Sequence, residues 1–515
     1  MPFDVIIVGA GLGGLGCAAR LAGRGGRVLV LEKNNHIGGT SYIFRRKGYA
    51  FPMGPLSFSF PEVVRDFLRS AGVASEIGFR RNHFQLLSPS LDILYSVPIE
   101  SLHRELAAAF PQESAGLRAV FSELAGIIEE TKDLHHRHPD FRLKQTVRGD
   151  GDARPDEKRS GDRVRDLSRT PCRLLLDRHL GDRALRNFLG SQGTSEPEMS
   201  LLTLAFMWNA MSEIGIWSPS CGVHGLSDLL ADSLRRQGGE IRLRTGAAKI
   251  LVERGRASGV ETEAGEVFRA PWVVSNVDPK TTFLELYRGP ALPASFRDRI
   301  VRTPYTDSEL CVYLGLDPGR VDWRKMRATH LFFRLNEEPP AGGPEGLEDF
   351  ERREIEVCRW SDNAPDHVPP GKTSLVLRVN FPYDHFAGFR TGNKTRRPEY
   401  RARKAALTRK LIAAAEKALP GLGEAVEIVE SATPLTYADW GSRYRGSIAG
   451  WSWSAEHGQV FESRLLIETP VENLLLAGIY AATELFLGGV PTALHTADLA
   501  ARIILEEPFS PQAGS

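Results

Sequence analysis

Two uninterrupted apolar runs, Val5–Val8 (VIIV) and Val28–Leu31 (VLVL), flank an Ala/Leu-rich stretch, Leu12–Leu21. Short β-branched or leucine runs bounded by glycine predict strands buried on both faces, and the stretch between them predicts a helix, so the chain opens strand, helix, strand. Further along, Leu174–Gln192 and Leu201–Ile216 are apolar at helical spacing. Arg403–Leu419 reads as an amphipathic helix stopped by Pro420-Gly421, and Cys311–Leu316 and Ser374–Phe381 read as strands. Leu474–Leu494 is long enough to cross a bilayer with Glu484 as its only charge, yet Gly488, Gly489 and Pro491 inside it favour a strand, a glycine turn and the start of a buried helix.

The junction of the first strand and helix carries Gly9, Gly11 and Gly14 in the spacing G-x-G-x-x-G. The first glycine permits the tight turn, the second lets backbone approach a pyrophosphate, and the third lets helix pack closely on strand. The helix N-terminus then offers unpaired N–H groups to phosphate. Glu32 stands at the end of the second strand, where a carboxylate accepts ribose hydroxyls. A lone glycine motif is weak, but in this order of elements it predicts a bound dinucleotide, and an acid at position 32 disfavours a 2′-phosphate. NAD and FAD remain.

Length and composition narrow the rest. A chain of 515 residues exceeds one ordinary core, so two domains, or one with insertions, are expected. A net charge of +1 gives no reason to expect nucleic acid, and five scattered cysteines without C-x-x-C support neither a disulfide framework nor zinc. The first residues, MPFDVIIVGAG, lack a basic stretch ahead of the apolar run, so no signal peptide is expected and the cytoplasm is the predicted compartment.

After Glu32, the residues KNNHIGGTSYIFRRKGYAFPMGP add Gly38, Gly39, Gly48, Gly54 and Pro55, more glycine than a plain NAD domain needs. Here the chain resembles the FAD-dependent oxidoreductases of the phytoene desaturase, carotenoid isomerase and retinol saturase family, with amine oxidases as distant relatives. The resemblance implies FAD and an α/β fold: a Rossmann-like, three-layer, mostly parallel FAD-binding domain with an inserted mixed α+β substrate domain. It places the second glycine pair and Thr40 near the flavin phosphates and Gly54-Pro55 near the ring. Two departures stand out: Pro52 replaces the family's usual acid, and Thr40 stands where amine-oxidase-like relatives carry Arg. The second tilts the match toward the polyene-acting branch.

Residues 222–250 resemble the family's glycine-led helix and the strand beside adenine, with Ala247 in the usual Val position, and APWVVSNVDP (Ala270–Pro279) resembles its buried return strand. Residues 360–381 resemble the substrate-domain hairpin, and 411–434 its helix, Pro-Gly stop and strand. Asn473–Ile504 resembles the closing FAD motif, matched by Gly478, Gly489, Val490 and Pro491, although Ile479 replaces an acid often found after the strand glycine. The implied cofactor residues are therefore Gly9, Gly11, Leu12, Gly13, Gly14, Glu32, Lys33, Gly38, Gly39, Thr40, Gly54, Pro55, Ala247, Gly478, Gly489 and Val490. The implied division is a discontinuous FAD domain (1–80, 215–285, 430–515) and a substrate domain (81–214, 286–429), with a charged loop over 140–165.

Flavin chemistry asks little of side chains: an oriented C–H bond, a shielded pocket and one proton donor or acceptor. Candidates are Glu484 above all, then His495, Tyr437, Trp440 and Tyr444; for each a purely structural role is at least as well supported. Met53, Leu56, Phe58 and Phe60 suit an apolar substrate or a core. His135, His136 and His138 read as a solvated helix end rather than a metal site. Since no second glycine turn offers a reductase domain, electrons pass to or from an external partner such as a quinone, oxygen or a reductase. The implied substrate is an apolar isoprenoid or carotenoid-like lipid, with desaturation, saturation and cis/trans isomerisation all open. Membrane-surface association through the helices at 174–216 is a further option, though a core-facing role fits those stripes better. An amine oxidase and a flavin-free prenyl-lipid carrier are the rival readings.

Overall fold

The computed structural model describes residues 3–136, 163, 166–191, 199–452, 466–482 and 488–506, with backbone alone for 132–136. The chain opens as β1 (Val5–Val8), α1 (Leu12–Ala22) and β2 (Val28–Leu31). All eight strand residues are buried, as the unbroken apolar runs require. These strands sit in a five-stranded sheet ordered Leu474–Leu476, Trp272–Ser275, β1, β2, Glu240–Arg242, in which every pairing is parallel. On one face α1 lies between the helices Gly222–Arg236 and Gly489–Glu506. On the other lies an antiparallel meander, Ala247–Glu253, Arg256–Thr262 and Val267–Arg269, joined by Tyr287–Arg288, whose Ile250, Ala257 and Val260 share the core of the parallel sheet. The result is three layers.

A second sheet of seven strands runs Val426–Ala432, Glu309–Leu316, Thr373–Asn380, Ile355–Arg359, His330–Phe333, Phe84–Leu87, Asp92–Leu94. Its pairings are antiparallel apart from the parallel contact of His330–Phe333 with Phe84–Leu87. Strand alternation divides its residues by face. Leu310, Val312, Leu314, Leu375 and Leu377 pack with Leu407 and Leu411 of the helix Glu399–Ala418. Cys311, Tyr313, Cys358 and Val376 face the other way, against Tyr49, Phe51 and Tyr437. A helical lobe between residues 99 and 209 has its own core around Leu102, Phe121, Leu176 and Trp208.

Several expected elements take a different form. The helical stretch expected from Leu174 is, over its described residues, two helices, Arg173–His179 and Arg183–Ser191, because the Glu113 carboxylate accepts the N–H groups of Gly181 and Asp182, and Asp182 caps the second helix at Leu185 N–H. Leu201–Asn209 is helical as expected, then widens into a π-turn over Ala210–Ile214 that ends at left-handed Gly215. In the hairpin placed at 360–381, only Thr373–Asn380 is an arm, and its partner is Ile355–Arg359, upstream of that range. Leu474–Leu494 contains a three-residue strand and the start of the last helix, and no helix among the described residues is long and apolar enough to cross a membrane. Residues 140–165, apart from Arg163, lie outside the described residues.

Candidate active site

A cavity of about 780 Å³ opens at the C-terminal ends of β1, β2 and Trp272–Ser275, where an open α/β sheet places its ligand crevice. Its floor is a set of backbone contacts. Gly9 N–H donates to Leu31 O at 2.8 Å, Asn276 N–H to Val8 O at 2.9 Å, and Gly38 N–H to Ala10 O at 2.8 Å, which ties the second glycine pair to the first turn. Gly9 and Gly38 are left-handed, at φ 95° and 98°. The Glu32 carboxylate, 5% exposed, accepts Ala10 N–H at 2.9 Å and Asn34 N–H at 2.8 Å, so its oxygens are aimed before any ligand arrives.

The glycines keep space open. A Cβ on Gly11 would stand 2.6 Å from Asn276 Nδ2, one on Gly13 2.5 Å from Asn276 Oδ1, and one on Gly478 2.4 Å from the same oxygen. Asn276 is thus the side chain on which two separated glycine segments meet, the turn at Gly11–Gly13 and Gly478. Sequence reading saw only its strand, although an Asn directly after a parallel strand in the crevice was the available signal. Of the expected cofactor residues, Gly14 alone is absent from the cavity wall. Its Cβ would lie 2.1 Å from Gly9 O, so it keeps α1 close beneath the turn.

The acid/base candidates separate. Tyr437 and Tyr444 line the cavity, whereas Trp440 is 45% exposed with Lys394 Nζ 4.1 Å above its ring. His495, on the last helix, is outside the wall, and burial pulls its pKa down. Glu484 and His138 lie outside the described residues, as do the side chains of His135 and His136; among the described residues no group of three His, Cys, Asp or Glu side chains is placed to hold a metal. Met53, Leu56 and Phe58 are core residues, and Phe60 precedes the helix Pro61–Ser70 in a left-handed conformation. None of the four reaches the cavity wall.

What the sequence reading missed is a buried polar row on the cavity face of the seven-stranded sheet. Tyr437 OH donates to Glu309, Arg378 stands 3.7 Å from Glu309 and 3.9 Å from Glu356, and His330 Nδ1 contacts Glu356 at 2.9 Å. Arg378 also donates to Gly54 O, where the chain bends into the cavity. Burial lowers the His330 pKa, but Cys358 and Glu356 outweigh it and hold the imidazole above its ordinary range. Burial raises Glu356, and His330 and Arg378 overcome it to hold the carboxylate below its ordinary range. Burial first, then Cys311 and Glu309, push the Tyr437 phenol well up, so it stays protonated and donates. Glu309, Arg378 and Tyr437 all line the cavity, giving it a charge-balanced polar inner end.

The flavin-containing amine oxidoreductase family matches residues 12–505. The chain belongs to this family. It is similar to prolycopene isomerase from Arabidopsis thaliana, 25% identical over 507 residues covering 94% of this chain and 79% of that one. It is similar to a zeta-carotene-forming phytoene desaturase from Myxococcus xanthus, 27% identical over 518 residues covering 96% and 92%. Among solved structures, a putrescine oxidase variant superposes with TM-score 0.63 at 18% identity, covering 98% and 99%. Cyclohexylamine oxidase from Brevibacterium oxydans IH-35A gives 0.59 at 17%, covering 98% and 100%. These two likenesses bear on fold, and they agree with the three-layer α/β domain described above. As a flavin-dependent oxidoreductase of this family, the protein has a cavity that fits its cofactor class: three glycines without room for a Cβ beside Asn276, and an acid fixed by two amides.

Proposed function

We propose that the protein is an FAD-dependent oxidoreductase that adds or removes hydrogen across carbon–carbon bonds of a long apolar isoprenoid or carotenoid-like lipid. The observation that carries the reading is the buried Glu32 carboxylate, held by two backbone amides at the mouth of a glycine turn, as a dinucleotide ribose needs. The carotenoid-acting relatives supply the substrate class. In this reading Gly11–Gly13 and Gly38–Thr40 take the diphosphate, Ala247 the adenine side, and Gly54, Pro55, Gly478, Gly489 and Val490 the ribityl chain and ring. The bound flavin supplies hydride acceptance or donation. The chain's own part is to orient the lipid, exclude water and hold one proton on Tyr437 OH, with Glu484 a second acid/base candidate tested by Glu484→Gln. Segments 1–80, 215–285 and 430–515 form the cofactor domain.

Desaturation, saturation and isomerisation share this scaffold. Anaerobic mixing of oxidised and of reduced protein with lipid extracts, followed by flavin absorbance and product mass, separates them. Bleaching of the oxidised form marks desaturation, return of colour to the reduced form marks saturation, and an isomerised product with no net colour change marks isomerisation. No lipid product in any arm refutes the proposal. Electrons are exchanged with a quinone, oxygen or a reductase, at a membrane surface where the lipid resides. Amine oxidation is the second reading, favoured by the fold of the solved neighbours, and peroxide release from polyamines decides it. A purified protein that stays colourless with added FAD would instead indicate a lipid carrier.

A further inference from the structure

Arg443 brings into the cavity a cation that no carboxylate among the described residues balances. Its guanidinium donates to Thr40 Oγ1 at 2.9 Å and to Tyr480 OH at 3.2 Å, and lies 5.3 Å above the Tyr480 ring. The other arginines of the wall are matched: Arg378 by Glu309 and Glu356, Arg390 by Asp439, and Arg445 by Asp384. Among the described residues no carboxylate stands within ion-pair distance of Arg443.

The segment around it is shaped to deliver this side chain. Ser442 and Arg445, at φ 53° and 51°, are left-handed without being glycine, a conformation that persists only where the surroundings impose it. Gly441 leaves no room for a Cβ, which would stand 2.8 Å from Tyr437 O and 3.1 Å from Thr40 Cγ2. Thr40 follows Gly39, whose own Cβ would lie 3.4 Å from Gly11 Cα, and Tyr480 follows Gly478 by two residues. Arg443 therefore reaches, from 403 residues along the chain, the same stretch of wall that the glycine turn presents.

We propose that Arg443 is the counter-charge for the diphosphate of the bound dinucleotide, an inference that rests on the FAD reading above. Two parallel N–H···O bonds from a guanidinium suit a phosphate, and the hydroxyls of Thr40 and Tyr480 hold the side chain in place meanwhile.

The test is titration of apoprotein with FAD and, separately, with riboflavin, which carries no phosphate, followed by flavin fluorescence. Charge-assisted hydrogen bonds of this kind correspond to about a 10–100-fold change in affinity. Arg443→Met is expected to weaken FAD by that factor, leave riboflavin within about twofold, and flatten the salt dependence of FAD binding. Arg443→Lys is expected to fall between. Should Arg443→Met fail to fold by circular dichroism, Arg443→Gln, which keeps a donor to Thr40 without the charge, carries the same expectation. Unchanged FAD affinity in a folded neutral variant, or equal loss for FAD and riboflavin, overturns the assignment while leaving the cofactor reading intact. Wild-type protein that takes up neither compound overturns both.

Discussion

Replacing Arg378 by Met tests the buried row directly. The guanidinium side chain is 18% exposed and lies between Glu309, 8% exposed, and Glu356, 17% exposed, at 3.7 and 3.9 Å. Removing one partner of a buried ion pair costs about 3–5 kcal/mol, because the carboxylate left behind is desolvated and uncompensated. Glu356 keeps His330 at 2.9 Å, so the burden falls on Glu309, whose remaining contact is the Tyr437 hydroxyl. We therefore expect a loss of about 3 kcal/mol, at the low end of that range. The Gly54 carbonyl also loses its donor, so the bend into the cavity should loosen and flavin uptake fall in parallel. The assay is urea unfolding followed by circular dichroism, with the m-value as the check that the same surface is exposed. Adding Glu309→Gln removes the stranded charge and should recover most of the loss, a coupling visible in the double-mutant cycle. A loss under about 1 kcal/mol at unchanged m, or strict additivity with Glu309→Gln, refutes the reasoning.

Burial raises the Glu354 carboxyl from 4.5 to about 7, outweighing Arg334 at 3.0 Å. The protonated form is thus favoured by folding. Its contribution, about 3 kcal/mol at most, is full below pH 4.5 and lost as pH rises through 7, so Glu354→Gln should flatten the melting temperature between pH 5 and 8. Gly13→Ala, with its Cβ 2.5 Å from Asn276 Oδ1 and 2.6 Å from Gly478 Cα, should yield folded protein that purifies without flavin absorbance. Gly14→Ala, 2.1 Å from Gly9 O, should instead lower the melting temperature of the apoprotein. Glu32→Gln leaves one of the Ala10 and Asn34 amides facing an NH₂ group and should weaken FAD at least tenfold, read by fluorescence titration.

The strand–turn–helix–strand opening was legible because its signals are local: β1 and β2 fall where four-residue apolar runs end at a glycine or an acid. Of the glycine lining, Gly9 and Gly11 were legible for the same reason, whereas Gly38, Gly39, Gly54, Gly478 and Gly489 were implied by the family resemblance. The helix break at Gly181-Asp182 was not, since its partner Glu113 lies 68 residues earlier. Glu309, Arg378, Glu356 and His330 meet only through sheet register, where Glu356 pairs opposite Arg378 and His330 opposite Cys358. The clue present in the chain was a single Glu, His or Arg in each of several largely apolar strands, ELCVYLGL, HLFF and TSLVLRVN. A charge inside such a strand asks for a partner, and nothing short of the pairing says which.

The Asn276 keystone has a consequence for biosynthesis. The pocket wall is complete only when Gly478, two residues past the strand Leu474–Leu476, has met the Asn276 side chain some two hundred residues earlier and the turn at Gly11–Gly13. A chain cut before residue 478 lacks that wall, so flavin uptake requires the segment that carries it. Prematurely stopped products should emerge unpigmented even if the opening strand, turn and helix have already formed.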